Sequence, residues 1–165
     1  MPSRYPLAVI LVLAGAVGCA HSRMIPGTTV PDTEENRAVL NAVEEYRQRL
    51  VAKNIEGLLL LASDRYFEDS GTPRADDDYG YEGLKHVLQT RLSRVQSLRY
   101  EIQYRTVRGT GGKANGGGKA EVEVYINGSF ELAAETGERY RRVNDYHRFV
   151  LERNVNDKWK FLSGM

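Results

Sequence analysis

Leu98-Arg99-Tyr100-Glu101-Ile102-Gln103-Tyr104-Arg105 decides the fold. Apolar and charged or amide side chains alternate with period two, so one face of an extended segment meets a core and the other meets water. The same alternation recurs downstream, where Ala120, Val122, Val124, Ile126, Phe130 and Leu132 interleave with Glu121, Glu123, Ser129 and Glu131, and Gly128 is placed for a bulge or bend. Thr136-Gly137 turns the chain into a third strand in which Val143, Asp145, His147, Phe149 and Leu151 share one face. Asn156-Asp157 turns it again into Lys158-Trp159-Lys160-Phe161-Leu162. Consecutive strands joined by short turns predict an antiparallel meander.

Upstream of the meander the period is helical. Asp32 or Thr33 offers an N-cap, and Asp32 with Glu35 has the spacing of a capping box. Val39, Leu40, Val43, Tyr46 and Leu50 follow at three- and four-residue steps. A second, shorter helix after Asn54 carries Leu58 to Leu61, and Asp64 to Asp69 reads as a short strand or turn before a polar loop from Ser70 to Gly80. From Tyr81 a third helix aligns Leu84, Val87, Leu88, Leu92 and Val95, with Arg91 as the single polar interruption. Three helices followed by a meander predict an α+β domain in which the helices cover one face of a curved antiparallel sheet.

This element order, the Tyr66-Phe67-Glu68-Asp69 segment after the second helix and the closing Lys158-Trp159-Lys160-Phe161 strand resemble the nuclear transport factor 2-like superfamily over residues 33–165. The resemblance implies a cone-shaped, cystatin-like α+β roll. It is shared by scytalone dehydratase, polyketide cyclases and uncharacterised exported proteins, so it implies a fold that hosts enzymes, ligand carriers and assembly modules alike.

The first eighteen residues have a different character. Arg4 precedes the apolar stretch Leu7 to Ala16, and small residues lead to Cys19, which is signal-peptide architecture. That stretch is shorter than the roughly 20 residues a membrane-spanning helix needs. Ala16-Val17-Gly18-Cys19 resembles the lipobox of bacterial lipoproteins, which implies cleavage of residues 1–18 and acylation of Cys19. Two or three acyl chains hold a protein stably on a membrane where one is marginal. Ala20, rather than Asp, implies sorting to the outer membrane, facing the periplasm. Residues 19–32, with Pro26, Gly27 and Pro31, are then expected to be a lipidated cysteine and an extended tether.

The chain has 23 Lys and Arg against 22 Asp and Glu, and Arg4 is the sole charge of residues 1–18, so the mature chain is formally neutral. Without a basic excess, nucleic-acid binding is disfavoured. Gly109-Thr110-Gly111-Gly112-Lys113-Ala114 fits a loose dinucleotide pattern, but a strand rather than a helix follows it, so a hairpin loop is expected and no cofactor. Asp76-Asp77-Asp78 lacks alternating calcium ligands, and His21, His86 and His147 lack zinc spacing, so no metal is expected.

Asp145 and His147 are two residues apart on an otherwise apolar strand face, about 7 Å along the backbone. Inward-facing polar groups either lock a core or line a cavity. Tyr66, Asp69, Tyr79, Tyr81 and Tyr104 are candidates for the rim of that cavity. The expected function is a lipid-anchored domain that binds a small ligand or an envelope protein without catalysis. The rival is a dehydratase, cyclase or isomerase with His147 as general base oriented by Asp145. A homodimer through the exposed sheet face, with Tyr125, Tyr140 and Tyr146 beside Arg142, Arg148 and Glu152, is a further expectation.

Overall fold

The computed structural model describes residues 23–69, 71, 73–110, 118–133 and 140–165. Cys19, the signal segment before it, the hairpin loop expected at 111–117 and the turn expected at Thr136-Gly137 lie outside the described residues. The elements in chain order are α1 (Glu34–Val51), α2 (Ile55–Leu61), β1 (Phe67–Glu68), β2 (Tyr79–Gly80), α3 (Tyr81–Ser93), β3 (Val95–Thr110), β4 (Lys119–Leu132), β5 (Tyr140–Arg153) and β6 (Trp159–Ser163). The four long strands form one antiparallel sheet in the order β3-β4-β5-β6, and β1 pairs with β2 as a separate two-residue ladder. Three helices pack on the inner face of this curved sheet, as the periodicities predict.

Each helix is built from a local signal. Thr33 is the N-cap of α1, its hydroxyl accepting from the Asn36 amide, and Asn54 caps α2 by accepting from Gly57. Asp32 does not act in a capping box with Glu35: its carboxylate is held by Arg37, and Glu35 pairs with Arg153. The apolar stripe of α1, Val39, Leu40, Val43, Tyr46 and Leu50, is buried throughout.

The register settles which strand residues point inward. Val122, Val124 and Ile126 of β4 face Phe149, His147 and Asp145 of β5, while Val124 and Ile126 face Tyr104 and Ile102 of β3. Phe149 and Phe161 meet Tyr46 at ring-centroid distances of 5.3 and 5.4 Å, forming the aromatic centre of the core. Gly128 stays in register with Tyr100 and Val143 and is no bulge. The register breaks fall instead in β3, between Val95 and Ser97 and between Tyr104 and Thr106, and in the pairing of β5 with β6 between Val150 and Leu151, where bulges bend the strands. On the outer face Tyr125 and Tyr146 meet edge to face at 5.2 Å. Glu152 is buried there, bound by Ser63 and Arg65, and is not part of an open surface.

Part of the expected tether belongs to the folded body. Pro26 and Gly27, the latter with φ +76°, form a turn closed by the Thr28 amide on the Ile25 carbonyl at 3.0 Å. The Thr28 hydroxyl donates to the same carbonyl and accepts from Val30, Met24 bridges Pro31, and the Thr29 hydroxyl donates to Arg105 O on β3. Val30 is fully buried in the core. The domain therefore begins ahead of residue 33: a Pro-Gly pair encodes a turn as readily as a tether, and one apolar residue after it was enough to pin the turn down.

Candidate functional site

Tyr66 and Glu68 stand two residues apart around β1, so an extended backbone sends both to the same side while Phe67 points out and is exposed. The Tyr66 hydroxyl lies 3.2 Å from Glu68 Oε2 and accepts from the Met165 amide at 3.0 Å. The same carboxylate oxygen accepts from the Gly164 amide at 2.7 Å. The Tyr79 ring stacks on Tyr66 with centroids 6.4 Å apart and planes 28° from parallel.

His147 reaches this cluster from β5. Its Nε2 is 2.7 Å from Gly164 O, and its ring meets Phe149 edge-on at 4.6 Å. A carbonyl oxygen can only accept, so Nε2 carries a proton and donates it to Gly164 O. Gly164 is required for this contact. Its φ is +94°, and a Cβ there would lie 2.5 Å from Arg148 O and 3.2 Å from His147 Nε2.

Burial pushes the Tyr66 hydroxyl far above the usual tyrosine range, opposed by the Met165 amide and reinforced by the Glu68 charge. Tyr79 is raised by burial and by Glu68, with Arg91 of α3 acting against them. Deeper in, burial raises Tyr46 strongly and Tyr100 to about 12, and the two rings meet edge to face at 6.3 Å. The tyrosines here are neutral donors and acceptors at any physiological pH. Beyond them, along the inner face, Leu98, Ile102, Phe130 and Val143 are only half-buried.

The structure therefore brings together Tyr66, Tyr79 and His147 of the predicted site and leaves the others out. Asp145 occupies the inward register opposite Ile126, yet it is exposed and accepts from the Tyr146 amide at 2.8 Å. The orienting partner of His147 is Gly164 O. Asp69 is exposed and accepts from Gly71 in a local turn. The Tyr81 hydroxyl meets Leu59 O at 3.4 Å, packing α3 on α2. Tyr104 places its hydroxyl near Glu44 and Arg47 under α1, buried and with no partner among the described residues. Sequence reasoning passed over Glu68, Gly164 and Met165. The alternation Tyr66-Phe67-Glu68 could have revealed Glu68, whereas the two tail residues carry no signal of their own.

A separate cleft of about 550 Å³ lies between α1, α2 and β6, lined in part by Ala42, Arg49, Leu60, Trp159 and Lys160. It shares no residue with the tyrosine and histidine cluster.

No family model and no curated protein sequence matches this chain. Solved structures do. A candidate scytalone dehydratase from Novosphingobium aromaticivorans superposes with a TM-score of 0.61 at 14% identity, covering 77% of this chain and 78% of that one. A ketosteroid isomerase-like protein from Erwinia carotovora atroseptica gives 0.58 at 19% identity, covering 79% and 93%. A candidate dehydratase of the nuclear transport factor 2-like family from Streptomyces avermitilis gives 0.54 at 14% identity, covering 78% and 92%. The chain has the nuclear transport factor 2-like fold. Identities this low carry the architecture and not the chemistry.

Proposed function

We propose that the chain is an outer-membrane lipoprotein, anchored through Cys19, whose domain binds a small apolar ligand at the cone mouth without transforming it. The observation that carries this is how the polar groups are engaged. Tyr66, Glu68 and His147 Nε2 are bound to one another or to the backbone of Gly164 and Met165, and Asp145 does not orient His147. A half-buried apolar wall beside satisfied polar groups suits binding more than acid-base work. The enzyme reading is supported at fold level by the candidate dehydratases and the ketosteroid isomerase-like protein among the neighbours, and in this chain by His147, for which Gly164 O would take the orienting role expected of Asp145.

Titrating the detergent-solubilised chain with 1-anilinonaphthalene-8-sulfonate tests the pocket. Saturable binding is expected, weakened about fivefold in His147→Ala, the equivalent of one lost hydrogen bond of about 1 kcal/mol. Binding that does not change in the variant removes His147 from the site. Cys19→Ser should move the protein from the membrane to the soluble fraction, and an unchanged membrane fraction defeats the anchor. Association of two copies through the Tyr125 and Tyr146 face is part of the same proposal, and a monomer by sedimentation would exclude it.

A further inference from the structure

The strap at residues 24–31 fixes where the folded body begins, and with it how far the body can stand from an anchor at Cys19. Arg23 is already hydrogen-bonded through its carbonyl to Asp32. Four Cα-to-Cα steps separate it from Cys19, and at full extension they span at most about 14 Å.

The strap sits at one pole of the domain. Thr29 is bonded to Arg105 near the end of β3, Glu35 in the first turn of α1 pairs with Arg153 at the end of β5, and Arg153 also holds Asp157 and the Gly118 carbonyl. The strap, the start of α1, the start of β4 and the Asn154–Lys158 turn therefore share that pole. The mouth lies toward the other. From Arg153 back to His147 is six residues of β5, about 20 Å at the rise of a strand, and the half-buried Val143 is about 13 Å further on.

We propose that the domain rests on the lipid surface by the strap pole, with the cone mouth turned toward the aqueous side. This rests on the lipid-anchor reading above. A reach of about 14 Å is shorter than the roughly 20 Å from the strap pole to His147, so the anchored domain cannot stand mouth-down with its strap pole lifted away from the bilayer. The strap itself suits contact with headgroups: Met24 is 49% exposed, flanked by the exposed Arg23 and Pro26. The mouth then exchanges its ligand with water and not with the membrane interior, which makes that ligand a molecule dissolved or carried in the periplasm.

Lipidation consumes the Cys19 thiol, so single cysteines introduced in the full chain can be labelled selectively. Asn156→Cys at the strap pole and Asn144→Cys on β5 toward the mouth, each carrying a fluorophore, are compared in vesicles of phosphatidylethanolamine and phosphatidylglycerol doped with a headgroup-attached quencher. Quenching several-fold stronger at residue 156 than at 144 is expected. Inserting about 20 Gly and Ser residues after Ser22, a coil of roughly 25 Å, should abolish the difference. Equal quenching in the anchored chain without the insert overturns the orientation while leaving the anchor intact. A chain that stays soluble with a reactive Cys19 thiol overturns the anchor and the orientation together.

Discussion

Val30→Ala puts the strap to its most direct test. Val30 has no exposed surface and belongs to the main core cluster, although it lies in a stretch whose composition reads as a tether. The substitution removes two methyl groups, at about 0.8 kcal/mol each for the burial lost. The space left behind adds up to about 1 kcal/mol, because the strap is closed by hydrogen bonds and cannot collapse fully into it. The expected cost is about 2–3 kcal/mol. For a domain of this size each kcal/mol lowers the melting temperature by roughly 3–5 °C, so a drop of about 10 °C is expected. Differential scanning calorimetry on the variant measures it, with Met24→Ala as the control, since that half-exposed side chain should change stability by no more than about 0.5 kcal/mol. A melting point for Val30→Ala within about a degree of the parent would show that the strap does not belong to the folded body. The short reach between anchor and domain would fall with it.

Gly164→Ala should cost at least about 2 kcal/mol, combining a left-handed backbone with a Cβ 2.5 Å from Arg148 O, and an unchanged melting curve would mean the 164–165 segment does not lie across His147. The raised tyrosines predict alkaline unfolding. Their neutral form is favoured in the folded state, so the stability they contribute is complete below the ordinary value of 10.0 and is lost as pH rises through the folded values, about 12 for Tyr100. Absorbance at 295 nm should show the buried tyrosines ionising only as the protein unfolds, whereas their reversible titration near the ordinary value of 10.0 without unfolding would contradict their burial.

The fold was readable because it rests on local periodicity. The alternation in β3, β4 and β5 and the three-four spacing in α1 and α3 each declare a buried face, and covering an amphipathic sheet with amphipathic helices leaves few architectures. The inward register of Asp145 and His147 was readable for the same reason. Their difference in burial was not, because that depends on the Gly164 segment, which lies against His147 and not against Asp145. Tyr66 was found as an aromatic on a short strand, but Glu68 was missed because it becomes a site residue only when Gly164 meets it from 96 positions away.

The sequence by itself determined the order of the three helices and four long strands, the inward faces and the short apolar run before Cys19, since each is written in the spacing of neighbouring residues, whereas β2, and with it the β1–β2 ladder, fell in a stretch that reads as a loop. The tertiary structure alone decided that Pro26-Gly27 folds back onto the core, that Gly164 O rather than Asp145 holds His147, and that Tyr104 lies under α1 rather than at the mouth. These are contacts between residues tens of positions apart. Their partners are chosen by packing, in which a glycine's missing Cβ or a helix's end decides what can touch, and no local pattern records that choice.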